Sequence, residues 1–135
     1  MSKKLSDIEG IGNTYAEKLA AAGVKNQEML LNHGSTSKGR KELVEKAGFS
    51  EKMLLEWCNR ADLARIKGIG EEYADLLEHA GVDTVPELAQ RNAANLHEKV
   101  QEINASKRLV RQLPSLNKIE DWVKQAKELP RVITH

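Results

Sequence analysis

The sequence predicts an all-α fold of two similar units, because it combines helical periodicity with two internal repeats. Apolar residues recur at helical spacing along the chain, and no stretch alternates apolar and polar residues as a strand does. Residues 8–24, "IEGIGNTYAEKLAAAGV", share 10 of 17 positions with residues 66–82, "IKGIGEEYADLLEHAGV". Farther along, "SEKMLLEWCNRA" resembles "SLNKIEDWVKQA" and aligns Trp57 with Trp122. We therefore interpret the chain as a tandem duplication.

The two repeats differ in spacing, which locates an insertion. The first pair is offset by 58 residues and the second by 65, so the second unit has gained about seven residues between them. The predicted units are 1–62 and 63–135. No Pro-, Gly- or Ser-rich linker separates them, so we expect one helix, 50–66, to belong to both units and to fuse them rigidly.

The predicted helices of the first unit are bounded by capping residues. One helix covers 13–22, a second runs to about residue 33, a third is "KGRKELVEKA", and a long fourth carries Leu54, Trp57 and Ala61 on one face. Their boundaries are marked by polar N-caps, namely Asn26, Thr36 or Ser37 and Ser50, and by C-terminal glycines, namely Gly23 and Gly48.

The second unit follows the same plan with an additional segment. Residues 71–80 form a predicted helix that Gly81 ends, and Thr84 with Glu87 forms a capping box for a short helix that has Pro86 in its first turn. The remaining predicted helices are 93–103, capped by Asn92, then 105–113, ended by Pro114, and a last helix that Ser115 caps.

A glycine-centred motif stands at the start of each unit. Its pattern, hydrophobic-x-Gly-Ile-Gly-x-x-x-Ala-x-x-Leu, resembles the helix-hairpin-helix motif of DNA-repair and recombination proteins. In the first copy we expect a helix to end at Ile8-Glu9, Ile11 to enter the core, and Gly10 with Gly12 to make a tight turn. The N–H groups of this turn and of the next helix then form an anion site suited to a phosphate.

The resemblance extends over the whole chain. "ELVEKAGFSEKMLLEWCNRA" looks like a degenerate second hairpin that turns at 47–50, and this paired arrangement is similar to the helical N-terminal domain of archaeal RadA-type recombinases. As a whole, the chain resembles a bacterial family of unknown function built from tandem helix-hairpin-helix (SAM-like) units. The resemblance implies phosphate contacts that position a duplex without reading its sequence, and turn carbonyls that can hold a potassium or sodium ion.

The two hairpins differ in the residues that follow the second glycine. Asn13 and Thr14 are neutral and can donate hydrogen bonds to a phosphate, whereas Glu71 and Glu72 would repel one. We therefore expect the second hairpin to be more structural than DNA-binding. Its candidate residues, which form the weaker site, are Lys67, Gly68, Ile69 and Gly70.

Two basic clusters add candidate phosphate contacts. In "SKGRKELVEK" cations stand at a helix N-terminus, against the helix dipole, and in "SKRLVRQLPSLNK" Lys107 and Arg111 share a predicted helix face without any acid in the stretch. The predicted nucleic-acid-binding residues are Gly10, Ile11, Gly12, Asn13, Thr14, Lys18, Lys38, Arg40, Lys41, Lys107, Arg108 and Arg111.

Composition argues against several classes of protein. The net charge is +1, and residues 1–64 and 65–135 carry +1 and 0, so any electrostatic site must be a local patch. No apolar run is long enough to span a membrane and the N-terminus has no signal-peptide core, so we expect a cytoplasmic protein with no membrane partner. Cys58 is interpreted as a packing residue, since it is a single cysteine within a helical pattern.

Neither a metal site nor an active site is expected. The histidines have no spacing typical of metal ligands, and the sequence suggests no Ser/His/Asp or Cys/His arrangement. The four histidines are His33, His79, His97 and His135. We therefore expect a non-enzymatic protein without a cofactor, apart from the monovalent cation that the resemblance allows.

These patterns favour sequence-independent binding of nucleic acid, expected to be double-stranded DNA, through its phosphates. The alternative is a protein-interaction or scaffold module that keeps the fold without binding DNA, which the near-neutral charge and the acidic second hairpin favour. A third interpretation is an accessory domain whose catalytic partner is a separate chain.

Overall fold

A computed structural model describes residues 3–8, 10–48 and 50–133. Over these residues the chain is all-helical and has no strand, which confirms the predicted fold class. Glu9, Phe49 and His135, which carry parts of the predictions above, lie outside the described residues. The elements are a short 3-10 helix (Leu5–Asp7), α1 (Asn13–Ala21), α2 (Gln27–Gly34), α3 (Ser37–Ala47), α4 (Glu51–Leu63), α5 (Glu71–His79), α6 (Val85–Ala89), α7 (Ala93–Lys107) and α8 (Leu116–Glu128).

The described residues form two compact units. Unit one comprises residues 3–62 together with 132 and 133, and unit two comprises residues 63–131. Each unit has its own apolar core, and Ile133 is a buried member of the core of unit one. α4 ends at Leu63 and not at residue 66, because the chain turns there and the N–H of Ile66 donates to the Leu63 carbonyl at 3.1 Å.

The positions that repeat in the sequence are core positions in both units. Leu19 and Leu30 of unit one are fully buried, and so are their counterparts Leu77 and Leu88 in unit two. Burying a leucine side chain stabilises a fold by about 1.5–3 kcal/mol, so the repeated residues supply much of the folding energy of each unit. The duplication is therefore a duplication of the core.

The predicted N-caps are confirmed by hydrogen bonds. The side-chain oxygen of each accepts the backbone N–H three residues farther on, at distances between 2.8 and 3.2 Å. The five residues are Asn26, Thr36, Ser50, Asn92 and Ser115. The predicted helix ends agree as well, because Gly23, Gly48 and Gly81 have φ angles of 94°, 77° and 89°, in the left-handed region that favours glycine.

The predicted capping box at α6 is wrong. Thr84 is the N-cap residue, but its side chain makes no capping hydrogen bond. Pro86 removes one of the two N–H groups that an N-cap oxygen can bind. Glu87 Oε2 instead accepts the N–H of Asp83, one residue before the N-cap, at 3.3 Å.

Residues 105–113 do not form the predicted separate helix. α7 continues four residues beyond its predicted end, and Arg108 then ends it with a left-handed φ of 52°. Asn104 holds the chain that follows, since its Oδ1 accepts the N–H of Val110 at 3.0 Å and its Nδ2 donates to the Val110 carbonyl at 3.2 Å. Val110 is buried, so these contacts fix an irregular segment against the core. We call residues 108–114 the inserted loop.

The two threonine N-caps allow a matched test of capping. Thr36→Ala removes a side chain that binds Gly39 N at 3.1 Å, so we expect the free energy of unfolding to fall by about 1 kcal/mol. Thr84→Ala removes no capping bond and should cost clearly less. Urea denaturation measures both values, and equal losses would contradict the assignment of Thr36 as the functioning cap.

Candidate functional site

Each unit contains a glycine turn, and the described residues of the two turns have similar backbone geometry. We call residues 8–12 turn one and residues 66–70 turn two. In each, the isoleucine between the two glycines donates its N–H to the carbonyl three residues back, at 3.1 Å in turn one and 3.2 Å in turn two. Gly10 and Gly68 have φ angles of 92° and 98°, at the third position, where a type II turn requires glycine. Both isoleucines are buried, so only the backbone of these residues can meet a ligand.

A tryptophan packs beneath the first glycine of each turn. A Cβ on Gly10 would lie 3.3 Å from Trp57 Nε1, and a Cβ on Gly68 would lie 2.9 Å from Trp122 Nε1. Each tryptophan also meets the tyrosine of its own unit, with ring centroids 5.2 and 5.3 Å apart and ring planes tilted by 55° and 53°. Glycine is therefore needed here for its conformation and for its small size.

Turn two allows a test of this double requirement. Gly68→Ala places a Cβ against Trp122 in a left-handed conformation, so we expect the free energy of unfolding to fall by about 1–2 kcal/mol from the backbone alone. Gly70→Ala is the control, because its φ is −95° and a Cβ there meets nothing within 4 Å among the described residues. Thermal or urea denaturation of the two variants compares them, and equal stability would contradict the tryptophan contact.

Turn one presents an open helix N-terminus. Gly12 is the N-cap of α1 and has no side chain, so it supplies no capping oxygen to the N–H groups of the first helical turn. Asn13 and Thr14 are exposed, and this first turn contains no acidic residue. Lys18 Nζ stands 5.7 Å from the centroid of the Tyr15 ring. The N–H donors and the helix dipole favour an anion at this end of α1.

Turn two has the same backbone but a different surface. Glu71 and Glu72 occupy the first turn of α5 and are exposed. An open groove of about 410 Å³ lies beside them, lined by Gly68, Gly70, Glu71, Glu72, Tyr73, Arg111 and Gln112. The Tyr73 hydroxyl donates to the Gln112 carbonyl at 3.1 Å, which ties the inserted loop to the groove. Carboxylates in the first turn satisfy the helix dipole and oppose an anion at this end of α5.

The predicted basic cluster on α3 is only partly at the surface. Lys38 and Lys41 are exposed, but Arg40 is buried with 3% of its area accessible. Its Nη1 donates to the carbonyl of Gly34 at 2.8 Å, at the C-terminal end of α2. Arg40 therefore satisfies a carbonyl that α2 leaves unpaired, and it is not placed for contact with a phosphate.

The predicted basic cluster around residue 107 is exposed but is not a helix face. Lys107 is the last residue of α7, Arg108 is its left-handed C-cap, and Arg111 lies in the inserted loop. The shared helix face predicted for Lys107 and Arg111 is therefore wrong. Arg111 borders the groove at turn two instead.

Two side chains near turn two were not predicted as site residues. Lys118 Nζ lies 6.0 Å from the centroid of the Tyr73 ring. Gln125 brackets the backbone of Lys67: its Oε1 accepts the Lys67 N–H at 2.9 Å and its Nε2 donates to the Lys67 carbonyl at 3.2 Å. Both come from α8, so no short-range sequence signal connects them to the turn.

Cys58 is buried within unit one, as the sequence predicts for a packing residue. Burial raises the pKa of its thiol to about 12; among nearby charges Arg40 lowers that pKa and Asp62 raises it. Among the described residues, no group of three or more His, Cys, Asp or Glu side chains could hold a metal ion.

The high pKa predicts an unreactive thiol. At pH 8 the Cys58 thiol is protonated in the folded protein, and the thiol form is a poor nucleophile. We expect negligible reaction with a thiol-specific reagent under native conditions and full reaction in denaturant. Mass spectrometry of the labelled protein measures both, and rapid native labelling would contradict the burial of this side chain.

The fold and the turns define an all-α protein made of a duplicated glycine-turn unit. The chain belongs to the family described as a domain of unknown function, DUF4332, whose model matches residues 9–129. No curated protein and no solved structure shows a significant match to the chain. No helix within residues 3–8, 10–48 and 50–133 is both long and apolar enough to cross a membrane.

Proposed function

We propose that this chain is a non-enzymatic, cytoplasmic protein of two helix-hairpin-helix units that binds nucleic acid through its phosphates, without reading the sequence. Double-stranded DNA is the proposed form. The observation that carries the proposal is the open N-terminus of α1 at turn one, where Asn13 and Thr14 are exposed and Lys18 stands above the neighbouring Tyr15.

The chemistry of turn one suits a phosphate. The first N–H groups of a helix have no intrahelical acceptor, and the helix dipole adds the equivalent of about half a positive charge at the same end. A phosphate oxygen can accept from these N–H groups and from the side chains of Asn13 and Thr14, while Lys18 adds a full charge. Contacts of this kind fix a phosphate in place and are indifferent to the base attached to it.

Other exposed cations would add to the electrostatic attraction. The first turn of α3 contains Lys38 and no acidic residue, and Lys41 follows on the same helix. A cation at a helix N-terminus is unfavourable by about 0.3–1 kcal/mol, and a bound phosphate would relieve that cost. Lys107 and Arg108 at the end of α7 already interact favourably with its dipole, so we give them less weight.

Turn two supports the proposal as an internal comparison. It shares the turn geometry of turn one but has glutamates where turn one has Asn13 and Thr14. The chain itself therefore shows that carboxylates at these two positions are compatible with the turn and its following helix. This allows the surface of turn one to be changed without changing its backbone.

The test is binding to a short DNA duplex at several salt concentrations. We expect log K to fall with log salt at a slope of about −3 to −5, for about four to six neutralised phosphates. Asn13→Glu with Thr14→Glu, which copies turn two, should weaken binding at least about tenfold, since it places two negative charges at the phosphate position.

The matched control is Ala94→Glu with Asn95→Glu in the first turn of α7. Both positions are exposed and lie at a helix N-terminus, so the control adds the same charge in the same structural context. If the two double variants weaken binding equally, the loss is due to the change in net charge alone, which would contradict a contact at turn one. No binding by the unmodified protein even near 50 mM salt would overturn the proposal.

That last result would favour the second candidate function, a protein-interaction or scaffold module. Its support is the net charge of +1 and the pair of exposed carboxylates at turn two. A module of this kind would keep the turns for packing alone.

A further inference from the structure

A lysine ammonium lies above the repeated tyrosine in both units. Lys18 Nζ is 5.7 Å from the ring centroid of Tyr15, and Lys118 Nζ is 6.0 Å from that of Tyr73. In each unit the tyrosine also meets the tryptophan that packs beneath the glycine turn. In each unit, therefore, the lysine contacts the tyrosine, the tyrosine contacts the tryptophan, and the tryptophan packs against the turn.

The duplication does not explain this recurrence. Lys18 aligns with Leu76, which is buried, and Lys118 aligns with Met53, which packs against the core of unit one. One lysine is on α1, the helix that contains the tyrosine, and the other is on α8. Two unrelated positions thus deliver a cation to equivalent rings, so the positive charge at this place was not inherited with the repeat.

In unit two a second cation, Arg111, borders the same groove as Tyr73, the ring above which Lys118 lies. Arg111 lines the groove at turn two. The next residue, Gln112, is held beside Tyr73 by the hydrogen bond from the Tyr73 hydroxyl to the Gln112 carbonyl. The inserted loop that carries Arg111 is anchored by the paired bonds of Asn104 and Val110. The position of Arg111 is therefore set by its neighbours on both sides.

Lys118 and Arg111 are not paired with any acidic side chain among the described residues. Over the part of the chain that the structure describes, neither Arg111 nor Lys118 forms a salt bridge, although Glu71 and Glu72 line the same groove. A cation above an exposed aromatic ring is stabilised by only about 0.5–1 kcal/mol. Most of the charge of both side chains remains available to an anion.

We propose that Lys118 and Arg111 form a second phosphate contact, beside turn two, so that unit two also binds the nucleic-acid backbone; this rests on the proposed function. At turn one the phosphate meets backbone N–H groups and Lys18. At turn two it meets side chains delivered by α8 and the inserted loop. Glu71 and Glu72 oppose it, which makes this contact weak.

The first test replaces Lys118 by methionine, the residue that unit one has at the aligned position, Met53. Lys118→Met should weaken duplex binding about twofold to fivefold and make the salt slope shallower by about 0.9, the value for one phosphate contact. Lys124→Met is the control, since Lys124 is an exposed lysine on the same helix, and it should change the slope little. Lys118→Arg keeps the positive charge and should bind as the unmodified protein does, and thermal denaturation of Lys118→Met shows whether that variant folds normally.

The second test works in the opposite direction. Glu71→Gln with Glu72→Gln removes two negative charges at the groove and should tighten duplex binding, because the phosphate then meets less repulsion. Glu98→Gln with Glu102→Gln removes the same charge from exposed positions on α7 and should tighten it less. A glutamate pair that only caps α5 would not produce this difference.

The outcomes separate the two proposals. In one outcome the duplex binds and the turn-one variant weakens binding, but Lys118→Met behaves like Lys124→Met and the two glutamine variants behave alike. The second contact is then wrong and the proposed function stands. If the duplex does not bind at all, both are wrong. A shallower slope for Lys118→Met alone, with tighter binding for the Glu71 and Glu72 variant, supports the second contact.

Discussion

The approach of a turn glycine to a tryptophan indole is the contact on which each unit depends. Because glycine has no Cβ, the indole of Trp57 or Trp122 can pack directly against the backbone of Gly10 or Gly68. The tryptophan in turn supports the tyrosine in the first turn of the next helix. This fixes the direction in which α1 and α5 leave their turns, and so where their N–H groups are presented. A single methyl group on Gly10 or Gly68 would disturb the whole sequence of contacts.

Duplication preserved this internal arrangement and left the surface free to diverge. The buried leucines, the isoleucine of each turn and the aromatic pair recur with closely similar geometry, because any change there costs packing energy. The exposed residues after the second glycine have no such constraint, and they differ between the copies: Asn13 and Thr14 in the first, and a pair of carboxylates in the second. Similar backbones can therefore serve different surface chemistry, and charge carries more functional information here than the turn itself.

Apart from the capping box at Thr84, features set within three or four residues could be predicted from the sequence, and several features set by tertiary contacts could not. The two ends of α3 are local: Thr36, one of the two predicted N-caps, caps the helix, and Gly48 ends it as predicted. The course of the inserted loop depends on Asn104 reaching Val110, which helical periodicity does not reveal. Arg40 was expected to contact a phosphate because it belongs to a basic cluster at a helix N-terminus, yet its guanidinium donates to a carbonyl of another helix. Turn one was predictable as a candidate site because a turn and the helix start after it form one local motif, whereas Lys118 reaches turn two from a distant helix.

The return of residues 132 and 133 to unit one has a consequence for synthesis. Unit two is continuous from 63 to 131, but unit one receives the buried side chain of Ile133 only after all of unit two has been made. Unit one therefore cannot be completed before unit two has been synthesised, so it cannot fold fully ahead of unit two as an N-terminal unit usually does. Until residues 132 and 133 have been made, the core of unit one lacks the buried side chain of Ile133.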